Sequence, residues 1–408
     1  MNQGLRHWNP SWDQTRAESG ENYIYEDEHV LIATDFECAS GINFRPDGDG
    51  YAIDLEPEPG DHAYSGMSYY YCFGICNKSP EPRHLPVRLH GNMREKFAAD
   101  QAHAVLRRGD AWSHLAPDAV RALPNTEILE LHLDLPGADE PDPVLFISNF
   151  HWHPYSELKP YLDGISNHPD VRISTLGHSV EGRPIYSVEI GSRNPDAPHI
   201  VMAQTPQPSE MGTWTSRAVI DYLVSDAAAQ TRAHHRFTLV PATNPDGTVR
   251  GLGVSHHLGR FPYFEGRLTA EEGPDVLPEM AAMWHLLKTA KPWLFIEWHS
   301  NNWHRRPGQM LLRFRPHLMD DAKRRQLWEA FDDRLMALPE TYHGNWTSHD
   351  EGLYQNSLCF QAITRLGAIS HMIKHHDKFP LEQSCQHAIM CVKEAVRVWD
   401  AQNTEDNT

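Results

Sequence analysis

Long apolar runs are missing from this sequence. No stretch approaches the roughly 18 consecutive apolar residues that a transmembrane helix needs, and the opening MNQGLRHWNPSW lacks the apolar segment of a secretory signal. These absences point to a soluble, cytoplasmic protein. Cysteine is sparse: Cys38, Cys72, Cys76, Cys359, Cys385 and Cys391 form no C-x2-C pair and are too thinly spread for a disulfide scaffold. Cys72 and Cys76 lie in the strand-like YYYCFGIC and read as buried free thiols. Positive charge is also short, with 36 Lys and Arg against 55 Asp and Glu, a formal net charge of −19. Such a balance repels phosphate backbones and anionic lipid, which argues against nucleic-acid and membrane partners and leaves a small-molecule or peptide substrate.

What is present is a chain of 408 residues, long enough for two or three domains, with 40% apolar and 22% charged residues. The 30 Pro and 26 Gly are scattered, which excludes collagen-like and wholly disordered chains. The 27 histidines suggest a metal site, although most read as solvated surface groups.

Two kinds of text follow one another. From 23 to 145 the chain is short β-type runs broken by turns, such as HVLIATDFEC, GYAIDLEPEPGD, HLPVRLHGN and ILELHLDLPG, whose alternation predicts strands with one buried face and hence a small β-sandwich. From 146 to 402 strand-like runs (VRISTLG, IYSVEIG, HIVMAQT, RFTLVPAT, WLFIEWHS) alternate with helix-length segments (TSRAVIDYLVSDAAAQ, PEMAAMWHLLKTA, CQHAIMCVKEAVRVWDAQ), which predicts an α/β domain with helices on a mostly parallel sheet. Residues 1 to 22 and 403 to 408 read as tails.

Four segments of the second half carry a family resemblance. LGHSVEGRPIYSVEIG, PATNPDG and IEWHS resemble, in that order, pieces of the zinc carboxypeptidase catalytic domain, and the β-rich region with ATDFEC and HWHPYSELKPYL looks like the amino-terminal sandwich of the cytosolic carboxypeptidase branch. The resemblance spans roughly residues 30 to 400. It implies a carboxypeptidase-like mixed sheet flanked by helices, preceded by the small sandwich, and a zinc-dependent hydrolase that cleaves a peptide or amide bond.

The resemblance also assigns positions, and several carry unexpected residues. The family's first ligand pair, His-x-x-Glu, falls on Gln207 and Glu210, and its second histidine on His299. A neutral amide oxygen is a poor substitute for imidazole in zinc's preferred surroundings. The general base, a glutamate in the family, aligns with Lys374. A carboxylate there would take a proton from metal-bound water, whereas an ammonium must first lose its own. The carboxylate clamp aligns with Val254 and with Tyr263 and Phe264, leaving Arg250, Arg260, His256 and His257 as nearby substrate-binding candidates. Gln207, Glu210, His299 and Lys374 sum to about +2 with a divalent ion and to zero without one, so zinc is weakly held, helped by another ligand such as His153 or His304, or absent. Without metal, Lys374 is expected to pair with Glu210; otherwise His371 and His375 are the next candidate bases. Two readings follow: an atypical hydrolase acting on a small or C-terminal amino-acid substrate, or a catalytically inactive relative that binds a ligand or partner.

Overall fold

The computed structural model describes residues 23–62, 64–92, 102–256, 258–262, 276–300, 308–314, 316–343 and 352–405. The chain divides into two compact units. The first comprises residues 1–157 together with 246–260 and 302–306, and the second holds the remainder.

The first unit is built on β1 (Ile24–Glu26), β2 (Val30–Ala33), β3 (Ile42–Asp47), β4 (Gly50–Asp54), β5 (Cys72–Asn77), β6 (Arg83–His90), β7 (Val105–Arg108), β8 (Ala111–His114), β9 (Val120–Ala122), β10 (Ile128–Leu135) and β11 (Val144–Ser148). They form a six-stranded sheet, β1-β2-β5-β11-β7-β8, and a five-stranded sheet, β3-β4-β6-β10-β9. One shared core joins Ile32, Phe73, Ile75 and Ile147 of the first sheet to Ile53, Val87, Leu131 and Leu133 of the second. The text ILELHLDL of β10 shows why: its leucines all point inward, leaving Glu130, His132 and Asp134 on the opposite face. The expected domain boundary after residue 145 falls inside β11, a strand that pairs with β5 and β7. Cys72 is buried and Cys76 half-buried in β5, and both are free thiols.

The segment 246–260 groups with this sandwich rather than with the α/β text around it. The cause is a buried carboxylate: Glu58 accepts hydrogen bonds from the backbone N–H groups of Gly253, Val254 and Ser255 at 2.6, 3.2 and 3.1 Å. A Cβ on Gly253 would stand 2.5 Å from Glu58 Oε1, so the loop needs glycine there.

The second unit carries one eight-stranded mixed sheet: β12 (Val171–His178), β13 (Pro184–Gly191), β14 (His199–Gln204), β15 (Arg236–Val240), β16 (Leu294–Ser300), β17 (Gln309–Arg313), β18 (Thr341–His343) and β19 (Ile369–His375). Their order is β12-β13-β15-β14-β16-β19-β17-β18, with β15, β14, β16 and β19 parallel in the middle. Every residue of β14 and β16 is buried, the mark of a parallel strand covered on both faces. Helices supply the cover: α1 (Tyr155–Ile165), α2 (Gly212–Val224), α3 (Pro278–Ala290), α4 (Ala322–Met336), α5 (Leu358–Leu366) and α6 (Leu381–Glu405). α6 packs on α2 and α4, and its last turn extends into the expected C-terminal tail. α5 closes on Gly367, whose φ of 65° turns the chain directly into β19.

Gly212 sets how closely α2 approaches the sheet. A Cβ there would meet Gln204 Cγ at 2.7 Å and the Trp298 carbonyl at 2.8 Å. Gly212→Ala is therefore expected to cost about 1–3 kcal/mol through overpacking, measured as a fall in the urea midpoint at unchanged m-value.

Candidate functional site

β16 delivers the central group. Because strand side chains alternate, Glu297 and His299 share one face of a fully buried strand. His299 Nε2 lies 2.8 Å from Glu297 Oε2, and its Nδ1 lies 2.9 Å from Glu210 Oε2. Glu210 arrives on the turn between β14 and α2. That turn is stitched to the end of β16: Thr205 N donates to the Trp298 carbonyl at 2.9 Å, Met211 N to Ser300 Oγ at 2.9 Å, and Ser300 N to Glu210 Oε2 at 2.7 Å.

The neighbouring strand brings Lys374, which sits opposite His299 in the β16–β19 register. Its Nζ stands 3.4 Å from His299 Nδ1. Burial pushes its ammonium below the usual lysine range, while Glu210 and Glu297 pull the other way. The expected direct pairing with Glu210 is not what forms: among the described residues the contact of Lys374 Nζ is with His299 Nδ1, the ring nitrogen that also faces Glu210. One imidazole thus has two carboxylates and one amino group within hydrogen-bond reach. Cys359 Sγ, 3.9 Å from Glu297 Oε2, is held far above the usual thiol range, chiefly by burial, and is no nucleophile.

Gln207 is buried in the same turn, where its carbonyl accepts from Glu210 N at 3.3 Å. The other candidates are placed differently. His256 is fully buried; its backbone N–H donates to the Arg260 carbonyl at 2.8 Å, its Nδ1 accepts from Leu258 N at 3.2 Å, and its Nε2 is 3.9 Å from Asp246 Oδ2. Arg250 is half-buried and closes a helical turn onto the Asp246 carbonyl at 3.1 Å. Val254, at the aligned clamp position, gives its N–H to Glu58. His257, Tyr263, Phe264 and His304 lie outside the described residues. His153 is buried with Nδ1 2.8 Å from the Pro154 carbonyl.

His371 and His375, the next candidate bases, are both buried on β19. His371 Nε2 is 3.2 Å from Asp332 Oδ1. His375 Nε2 is 3.3 Å from His387 Nδ1, and burial holds it well below the usual histidine range. Glu297 is the site residue that sequence reasoning left unnamed, although the acidic-x-His spacing of IEWHS placed it one strand repeat from His299.

The mixed sheet with its flanking helices and the preceding sandwich define a carboxypeptidase-like α/β protein. Residues 158–256 match the family model of the zinc carboxypeptidases. The chain is similar to carboxypeptidase D of the duck Anas platyrhynchos, 26% identical over 200 residues, 44% of this chain and 14% of that protein. It is also similar to carboxypeptidase D of the mouse, 31% identical over 113 residues, 25% of this chain and 8% of the relative. In fold it resembles the metallo-carboxypeptidase of Burkholderia cenocepacia, with a TM-score of 0.75 at 13% identity over 91% of this chain and 99% of that one. The metallo-carboxypeptidase of Pseudomonas aeruginosa gives 0.73 at 16% identity over 90% and 99%. The second unit is thus zinc-carboxypeptidase-like, in sequence over part of its length and in fold as a whole.

The His375–His387 pair generates a pH prediction. Burial lowers His387 to about 4, against 6.5 for a free histidine. A histidine depressed in the folded state contributes stability above its unfolded value, and that contribution drains away as pH falls toward the folded one. Unfolding free energy is expected to drop by about 2 kcal/mol between pH 7 and pH 5 on this residue's account. His387→Gln is expected to flatten that part of the acid limb in urea titrations.

Proposed function

We propose that this chain is a catalytically inactive carboxypeptidase-like protein whose strand-edge site binds a small-molecule or peptide ligand without hydrolysing it. The observation that carries the reading is Lys374 Nζ at 3.4 Å from His299 Nδ1, the ring nitrogen that also faces Glu210. A metal at Nδ1 would have to take a nitrogen that already faces the Lys374 amine at 3.4 Å. A dication at that nitrogen would also stand within a few ångströms of an ammonium. The remaining donor, Gln207, offers an amide oxygen in place of imidazole. These residues do not fit zinc.

The Glu58 loop supports the same reading. At the position where the family resemblance calls for a carboxylate-gripping arginine, Val254 is buried and its amide is committed to the chain's own glutamate. A substrate's terminal carboxylate loses an anchor there. A second reading, redirected hydrolysis with Lys374 as base, draws on the burial that lowers its ammonium.

Metal analysis of the purified chain, with a chelator control, separates these readings. The expected result is well under one zinc per chain in the wild type and close to one in the Gln207→His, Lys374→Glu double variant, which rebuilds three ligands and a carboxylate base. One chelatable zinc in the wild type, together with release of C-terminal amino acids, overturns the proposal. Turnover that Lys374→Ala abolishes at unchanged thermal stability would favour the second reading.

A further inference from the structure

At the amino-terminal end of the parallel strands the second unit holds a cavity of about 260 Å³. Trp293 marks its position. This residue immediately precedes β16; its N–H donates to the His199 carbonyl at the start of β14 at 3.0 Å, and its own carbonyl accepts from Ile369 N at the start of β19 at 2.9 Å. At about 3.3 Å per residue, His299 lies roughly 20 Å further along β16. Trp293 and Trp399 form one wall, with ring centroids 4.9 Å apart and planes tilted by 36°. Trp293 is 4% exposed, whereas Trp399, from α6, is half-buried, so its ring is the reachable one. α6 also brings Gln402 and Asn403, three and four residues after Trp399 and hence on the same helix face. α4 contributes Lys323 and Arg324 from its first turn.

The charge of this lining runs against that of the chain. The sequence carries a net charge of −19, yet both charged residues that line the cavity are cations. Asp321 caps α4 by accepting from Arg324 N at 3.1 Å, and Asp400, beside Trp399, lies 3.0 Å from His235 Nε2, so each acidic neighbour has its own partner. The Arg324 guanidinium donates to the Gly367 carbonyl, which holds its fork in place. A guanidinium has five N–H donors in a planar array that matches the two oxygens of a carboxylate. Indole rings add a flat apolar surface on which an aromatic ring stacks with an offset. Size narrows the class further. A cavity of roughly 150 Å³ takes one benzene, and sites for drug-sized ligands begin near ~300 Å³. The volume here suits one ring or two fused rings with a carboxylate, and is too small for a nucleotide.

We infer that this cavity binds a planar aromatic carboxylate, with the ring against Trp399 and the carboxylate on Arg324 and Lys323. The site lies wholly within the second unit and is separate from the His299 group.

The test is calorimetric titration of the full chain with naphthoate at low salt, with naphthamide and cyclohexanecarboxylate as controls and saturation-transfer NMR in parallel. The wild type is expected to bind naphthoate saturably at one equivalent. The neutral amide and the non-aromatic acid each lack one recognised feature, and each is expected to bind about tenfold more weakly or worse. Trp399→Ala is expected to weaken naphthoate about tenfold, while Trp399→Phe, which keeps a ring, retains most of the affinity. Lys323 is exposed, so Lys323→Glu leaves the packing of α4 intact; it is expected to weaken binding by a similar factor and serves alone if Trp399→Ala does not fold. No saturable binding at millimolar naphthoate overturns the inference. So does binding that Trp399→Ala and Lys323→Glu both leave unaltered, or equal affinity for naphthoate and naphthamide.

Discussion

A carboxylate and an imidazole on a strand with no exposed residue must find their partners inside the protein, and that requirement organises the second unit. β16 carries Glu297 and His299 between β14 and β19, out of reach of bulk water. Unpaired, such groups cost several kcal/mol each. The turn after β14 is pulled in to present Glu210, Ser300 caps that carboxylate with its N–H, and Lys374 reaches His299 from β19. The close approach permitted by Gly212 and the sharp entry to β19 at Gly367 both serve this alignment.

The same geometry shows how the framework of the site is separated from what the site holds. Its positions are strand ends and one turn, held by backbone contacts that do not depend on what the side chains ligate. A side chain can change on β19 while the register of the sheet stays intact. A fold therefore does not by itself fix a function.

Much of the architecture was legible in the text. ILELHLDL announces a strand with one buried face, and LFIEWHS reads as a strand buried on both, because the side-chain period of two is a local property. The pairing of Glu210 with His299 was also legible, through the order of the family-like segments. Two features were not. The sequence brought Lys374 to the right strand end but could not reveal that its nearest polar contact would be His299 and not Glu210, since this depends on side-chain placement across two strands and a turn. The assignment of 246–260 to the sandwich was hidden too, because it rests on Glu58, a residue nearly two hundred positions earlier whose local text, LEPEPGD, looks like an ordinary turn.

That long-range tie has a consequence for the order in which the molecule is made. Residues 23–148 can pair their strands as soon as they leave the ribosome, but the buried Glu58 carboxylate lacks its three backbone donors until Gly253–Ser255 have been synthesised. In the interval that carboxylate lacks the segment that covers it, and the intervening residues 158–245 form a loop whose closure cost grows only slowly with its length. The Glu58 loop therefore reaches its final hydrogen bonding only after a large part of the α/β unit has been translated.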